Sequence, residues 1–192
     1  MRQIAPEGPL ARRTLRSTVA ATVLVMAFIC VGSIAQARAD CAYQGINPSQ
    51  ISTMEARYAV WCLINEQRSA NGLPALAASP ELGRAAQRHS RAMNRRNFFG
   101  HLGDGSPASR ARRAGYTKNR SFWTLGEALE WGRGKLGTPA HAMSAIMGSP
   151  IHRAEILDAR YRDVGVGVAK GSPRGRGGRN AAIYTVDLGA RR

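Results

Sequence analysis

Apolar residues along this chain recur first at helical and then at strand spacing. Ser52-Thr53-Met54-Glu55 has the form of a capping box, a hydroxyl followed three residues later by a carboxylate. From there to Asn71 the spacing predicts a helix closed by Gly72, with Val60, Leu63, Ile64 and Gln67 along one face and Trp61 beside it. Ser79-Pro80-Glu81 opens a second helix, whose Leu82, Ala85, Ala86, His89 and Met93 fall on one stripe and whose end is the cationic pair Arg95-Arg96. Ser106-Pro107 starts a short third helix ending at Gly115, Thr138-Pro139 a fourth, and Ser149-Pro150 a restart carrying His152 in its first turn.

The period then changes. Val164, Val166 and Val168 alternate with Gly165 and Gly167, and "AAIYTVDLG" (181–189) is a second apolar run of strand length. "FWTLGEALEWG" (122–132) is a third extended candidate, and "GSPRGRGGRN" is a loop between strands. Helices followed by a terminal hairpin within one small domain predict an α+β fold rather than alternating βαβ units.

Residues 1–39 stand apart. Arg12, Arg13 and Arg16 precede an uncharged run from Ser17 to Ala37, and "ARAD" supplies a small-x-small ending before Asp40. That layout predicts a secretory signal peptide removed after Ala39, with an uncleaved membrane anchor as the alternative. Residues 40–55 then form an N-terminal extension and 56–190 one domain of ordinary size. Cys30 lies in the leader, leaving Cys41 and Cys62. An even count in an exported chain predicts a disulfide, contributing about 3 kcal/mol for a loop of this size; a buried Cys62 thiol is the other reading.

Lysine and arginine number 28 against 12 acids, a net charge of +16, and the only lysines are Lys118, Lys135 and Lys170. Such a surface suits anionic partners such as wall polymers, lipid headgroups or nucleic acid. Nucleic acid is not expected, because the arginine-rich loop offers no aromatic side chain for a base to stack on.

Among the histidines, His89 lies on an apolar stripe and reads as a satisfied core residue, and His141 as an exposed first-turn residue. His101 follows "FFG" on a loop leaving a buried aromatic pair, where a rigid scaffold can position a polar group. His152 sits where a helix dipole favours the neutral imidazole. Glu127 is a carboxylate inside an apolar stretch and needs a partner. These three are the candidate site, as a metal centre or an acid/base cluster.

The order "LINEQRSANGLPALAASPELGRAAQRHSRAM", "FFGH", "ASRARRAGY", "GEALEWG", "SPIHRAEILDARYRDVGVGVA" and "YTVDLG" resembles the CAP superfamily of cysteine-rich secretory, antigen 5 and pathogenesis-related proteins (the SCP domain), in its short bacterial secreted form. The resemblance covers about residues 56–189. It implies an α-β-α sandwich with a small antiparallel sheet flanked by helices and a central cleft of two histidines and two glutamates, reported in some members to bind zinc. Motif by motif, the cleft residues fall on His101, Glu127 and His152. Two departures stand out: Ala128 replaces the asparagine of the family's Gly-Glu-Asn motif, and the second glutamate has no counterpart, Glu130 and Asp104 being substitutes outside the motif. Two histidines and one carboxylate make a three-ligand set with an open position, expected to hold zinc or another divalent ion more weakly than a complete tetrad. The resemblance implies a secreted or envelope-bound monomeric binding module whose partners include lipid, sterol, an anionic cell-wall polymer or a protein. A metal-dependent hydrolase or peptidase using the same cleft is the alternative, in which a metal-bound water would attack.

Overall fold

The structure is a computed structural model that describes residues 41–175 and 178–192. The leader at residues 1–39 lies outside the described residues. The first helix, α1 (Thr53–Ala70), begins on the expected box: Ser52 Oγ accepts from the Glu55 amide at 3.1 Å, and the Glu55 carboxylate accepts from the Ser52 amide at 2.8 Å. Two orphan amides of the first turn are thereby satisfied. Next come α2 (Pro80–Arg96), α3 (Pro107–Arg113), α4 (Pro139–Gly148) and α5 (Pro150–Ile156), each with proline in its first turn.

Three long strands match the sequence expectation: β2 (Trp123–Arg133), β3 (Asp163–Lys170) and β4 (Ala181–Arg191). A two-residue strand, β1 (Ala77–Ala78), was not foreseen, since two alanines carry no strand signal. The sheet order is β1-β3-β4-β2, antiparallel throughout except that β1 runs parallel to β3. The strand β4 is therefore central, and Asp187 on it faces Glu127 on one side and Gly165 on the other.

Helices cover both faces. Val164, Val166, Val168, Tyr184, Val186 and Leu188 pack with Val60, Ile64, Ile146 and Ile156 of α1, α4 and α5 in the main apolar core. On the opposite face α2 lies almost on the backbone of β3. A Cβ at Gly165 would come within 2.1 Å of the Leu82 carbonyl carbon, and one at Gly167 within 2.2 Å of that of Ala86. The Val-Gly-Val-Gly-Val run thus has two functions: its valines fill one face and its glycines admit a helix on the other. The architecture is the expected α-β-α arrangement.

Cys41 and Cys62 are bonded, with an S–S distance of 2.00 Å, tying the segment before α1 to the middle of that helix. A fully buried Arg68 fastens the other end of α1. Its Nε donates to Pro74 O at 2.9 Å and its Nη1 to Ile156 O and Asp158 O at 2.8 and 3.0 Å. Those acceptors include a carbonyl at the C-terminal end of α5, so Arg68 caps and anchors the helix that carries His152.

Candidate functional site

Glu127 projects from β2 toward the face covered by α2 and α3, and its side chain is 2 % exposed. The glycine before it is spatially required. A Cβ at Gly126 would lie 1.8 Å from Glu155 Oε2 and 2.5 Å from the Tyr161 hydroxyl, which itself donates to Glu155 at 2.7 Å. Gly126 therefore lets α5 settle against β2 from one face while Glu127 enters the polar layer on the other. The Gly-Glu pair is a spacing device joined to a charge.

Both oxygens of Glu127 are engaged. Oε1 accepts from His101 Nδ1 at 2.7 Å, and Oε2 accepts from Arg110 Nη2. Arg110, on α3, is almost wholly buried, and its Nη1 also donates to Asp104 Oδ1 at 3.0 Å, to His101 O at 2.8 Å and to Gly105 O. One guanidinium thus fixes the carboxylate, the loop carrying His101 and a second acid. Asp104 Oδ1 also accepts from His89 Nδ1 at 2.6 Å, which leaves Nε2 of the fully buried His89 without a hydrogen bond, 4.0 Å from Glu127 Oε1. His152 comes from α5, and its ring lies edge-on to His101 with centroids 6.4 Å apart.

The electrostatics follow from these contacts. The hydrogen bond to Glu127 raises His101 above the ordinary imidazole value, outweighing its partial burial. Burial lowers His89, and burial together with the neighbouring His101 lowers His152. Burial alone would raise Glu127, but the His101 hydrogen bond and the Arg110 and His89 charges more than offset it, so Glu127 stays ionised. Asp187, opposite Glu127 across the strand pair, is pushed well above the usual carboxylate range by burial and by the Glu127 charge. Its ionised form is therefore disfavoured beside that charge, and its buried Oδ1 has no hydrogen-bond partner.

The structure brings His101, Glu127 and His152 to one place and adds His89, Asp104, Arg110 and Asp187. Asp187 could have been found by the argument that singled out Glu127, an acid enclosed by apolar residues in "YTVDLG". Arg110 carried no signal among so many arginines. His89 is hydrogen-bonded as a core histidine should be, yet it also borders the cluster. Asp104 serves Arg110 and His89, and Glu130 lies near His152 as a charge. The other histidine, His141, is exposed on α4.

As they stand, these residues do not fit a divalent ion. His101 turns Nδ1 to Glu127, and a guanidinium occupies the remaining carboxylate oxygen and places positive charge where a cation would sit. No group of three or more His, Cys, Asp or Glu among the described residues is arranged to hold a metal.

The protein-family model of the cysteine-rich secretory protein family, CAP, matches residues 62–187. The chain is 32 % identical over 122 residues to the Bacillus subtilis protein YkwD, covering 62 % of this chain and 44 % of that one, so it spans less than half the length of that relative. Among solved structures, an outer surface protein of Borrelia burgdorferi superposes with a TM-score of 0.61 at 20 % identity, over 74 % of this chain and 97 % of the other. An extracellular SCP-domain protein of Bacillus anthracis does so with a TM-score of 0.56 at 22 % identity, over 71 % and 40 %. Both likenesses concern the fold. With its Gly-Glu strand, its glycine-valine strand and a pair of histidines of which one holds the Gly-Glu carboxylate, the chain belongs to the CAP family of cysteine-rich secretory proteins.

Proposed function

We propose that this domain is a non-enzymatic binding module of the bacterial cell envelope or extracellular space, and that its His101–His152 cleft receives a polar group of its ligand. The location draws on the relatives described as extracellular or outer-surface proteins. The observation that carries the binding role is the complete engagement of Glu127: one oxygen holds His101 and the other holds Arg110. A carboxylate so committed orients an imidazole and does not itself take up a proton from a reacting group. What faces outward is His101, whose protonated form the Glu127 hydrogen bond favours and whose other ring nitrogen then donates, beside His152, whose neutral form is favoured and can accept or donate. That pair suits a ligand group with an acceptor oxygen and a donor hydrogen, such as an amide or a hydroxylated sugar. Leu102 and Ile151, 71 % and 75 % exposed, flank the two histidines in sequence and give the rim an apolar character.

The second reading is a hydrolase using the same cleft, and the neutral His152 favours it, since that is the form that acts as a general base. Wild type, His101→Ala and His152→Ala decide between them. With N-acetylglucosamine as the probe, the wild-type imidazole resonances should shift and the response should disappear in each variant. Hydrolysis of p-nitrophenyl acetate and of a generic peptide should be equal in all three proteins. Turnover present in the wild type and lost in both variants would make the protein an enzyme.

A further inference from the structure

The helix that buries His89 presents a different chemistry on its outer side. Leu82, Ala85, Ala86, His89, Ala92 and Met93 of α2 are buried against the sheet, while Arg84, Arg88, Arg91, Arg95 and Arg96 are exposed. The first four are spaced four, three and four residues apart, so they run in single file for about 16 Å along the helix. Such spacing puts like charges next to one another at i,i+4 and i,i+3, an unfavourable arrangement in an isolated helix. An ordinary solvated face would interleave acids. The only acid on α2 is Glu81, in the first turn, where it accepts from Ser79 and pairs with Arg191 at 3.5 Å.

Two of the five arginines are partly occupied: Arg84 donates to Ala114 O at 3.1 Å, and Arg96 lies over the Phe98 ring at 5.7 Å. Among the described residues, Arg88, Arg91 and Arg95 take part in no ion pair and no hydrogen bond. The positive field extends beyond the helix, because burial and the nearby Arg91 both lower the Arg57 guanidinium on α1.

We infer that the outer face of α2 is a docking surface for an anionic carbohydrate polymer of the envelope, a chain bearing phosphodiester or uronate groups, gripped by Arg84, Arg88, Arg91 and Arg95. The guanidinium fork matches a phosphate or carboxylate through two parallel hydrogen bonds, which explains why arginine suits the surface better than lysine. A single file of forks fits an extended chain with repeating anionic groups. A membrane is a poorer match, because the apolar face of α2 is buried on the sheet and has nothing left to insert. A nucleic acid strand is also a poorer match, because α2 carries no Phe, Tyr or Trp among its arginines and Phe98, just beyond its end, is already covered by Arg96. The surface is separate from the cleft, since His89 points inward from the same helix. The choice of an envelope polymer rests on the extracellular reading above, whereas the anion-binding stripe itself does not.

The test uses the protein purified with its native N-terminus. Poly(glycerol phosphate) and polygalacturonate are titrated at 50 to 200 mM salt against wild type, an Arg88→Gln/Arg91→Gln/Arg95→Gln variant and an Arg120→Gln/Arg133→Gln/Arg153→Gln variant. The second triple variant removes the same charge from exposed positions elsewhere. The stripe variant should bind at least tenfold more weakly at 50 mM salt, and its slope of log affinity against log salt should fall by roughly two. The control triple variant and His101→Ala should bind within about threefold of wild type. Equal weakening by both triple variants would show diffuse charge attraction and overturn the docking surface. Tighter binding to a mixed-sequence single-stranded oligonucleotide or to phosphatidylglycerol vesicles than to either polymer would overturn the assignment of partner. His101→Ala losing sugar binding at the cleft while keeping the polymer would separate this proposal from the cleft reading.

Discussion

The two faces of the sheet are filled by opposite means. On the side of α1, α4 and α5, branched aliphatic side chains and Tyr184 interdigitate, and every member could in principle be exchanged for another of like volume. On the side of α2 and α3, glycines bring backbone against backbone, and the space that remains holds His89, Arg110, Glu127 and Asp187. The first face stabilises by removing apolar area from water and tolerates single defects in proportion to their size. The second stabilises only while each charge keeps its partner, because a buried ion left alone bears the full cost of its desolvation. The two histidines meet at the edge strand β2, where the layers join: His101 is held by the polar layer through Glu127, and His152 arrives on α5 from the apolar side.

The largest expected effect tests this contrast directly. Arg110→Ala leaves Glu127 and Asp104 without their shared cation and should destabilise by about 3–5 kcal/mol in denaturant unfolding. The double variant Arg110→Met/Glu127→Gln removes both charges and should recover a substantial part of the loss. Recovery near zero would mean that the layer is held by shape, as the apolar face is. Ile146→Val in the apolar core should cost only about 0.5–1.5 kcal/mol, with no compensating partner to be found. Between these lies the disulfide. Cys41→Ser/Cys62→Ser should lose about 3 kcal/mol while leaving the His101–Glu127 hydrogen bond in place, because the bridge lies on α1, away from the polar face.

Most of the fold was legible in the sequence because its signals are local. Ser52 with Glu55, Ser79-Pro80 and Thr138-Pro139 announce helix starts through hydrogen bonds that close within three residues. The polar layer was legible only in part. Glu127 stood out because an acid among apolar residues needs a partner, His101 by its loop beside an aromatic pair and His152 by its place in a first helical turn, and the family resemblance joined the three. The role of Arg110 depends on a contact 17 residues apart along the chain, and that of Asp187 on the register that sets β4 against β2. No local pattern encodes that register. The two-residue β1 was missed for a similar reason: its existence follows from Asp163 and Val164 lying beside it, not from its own alanines.

Asp187 offers a subtler test. A carboxyl whose ionisation is disfavoured in the folded state but free in the unfolded chain favours folding fully below the ordinary aspartate value, and that contribution is lost as pH rises toward the raised folded value. Asp187→Asn keeps a neutral donor of the same shape and has no such loss. It should therefore be at least as stable as wild type at pH 7, with an advantage that grows as pH rises from about 4. An Asn variant that is less stable at every pH would mean that Asp187 is ionised in the fold and paired by some other group.

The smallest effect lies where the polar layer meets α5, and the two histidines there should be shifted in opposite directions. His101 is held above the ordinary imidazole value by its hydrogen bond to Glu127, and His152 is held below it by burial and by the charge on His101. The contribution of His101 to stability is present in full below about pH 6.5 and is lost as pH rises through its raised folded value. With the side chain 46 % exposed, solvent screening keeps that contribution small, and the titration itself is the better readout. Proton resonances of the two rings followed between pH 5 and 9 should bracket 6.5, one on each side. Glu127→Gln supplies the sharper result. With the carboxylate gone, His101 should fall back toward the ordinary value and, carrying less charge near neutrality, should let His152 rise. If both rings titrated together near 6.5 in the wild type, the pair would behave as ordinary surface, and the polar layer would not extend beyond Glu127.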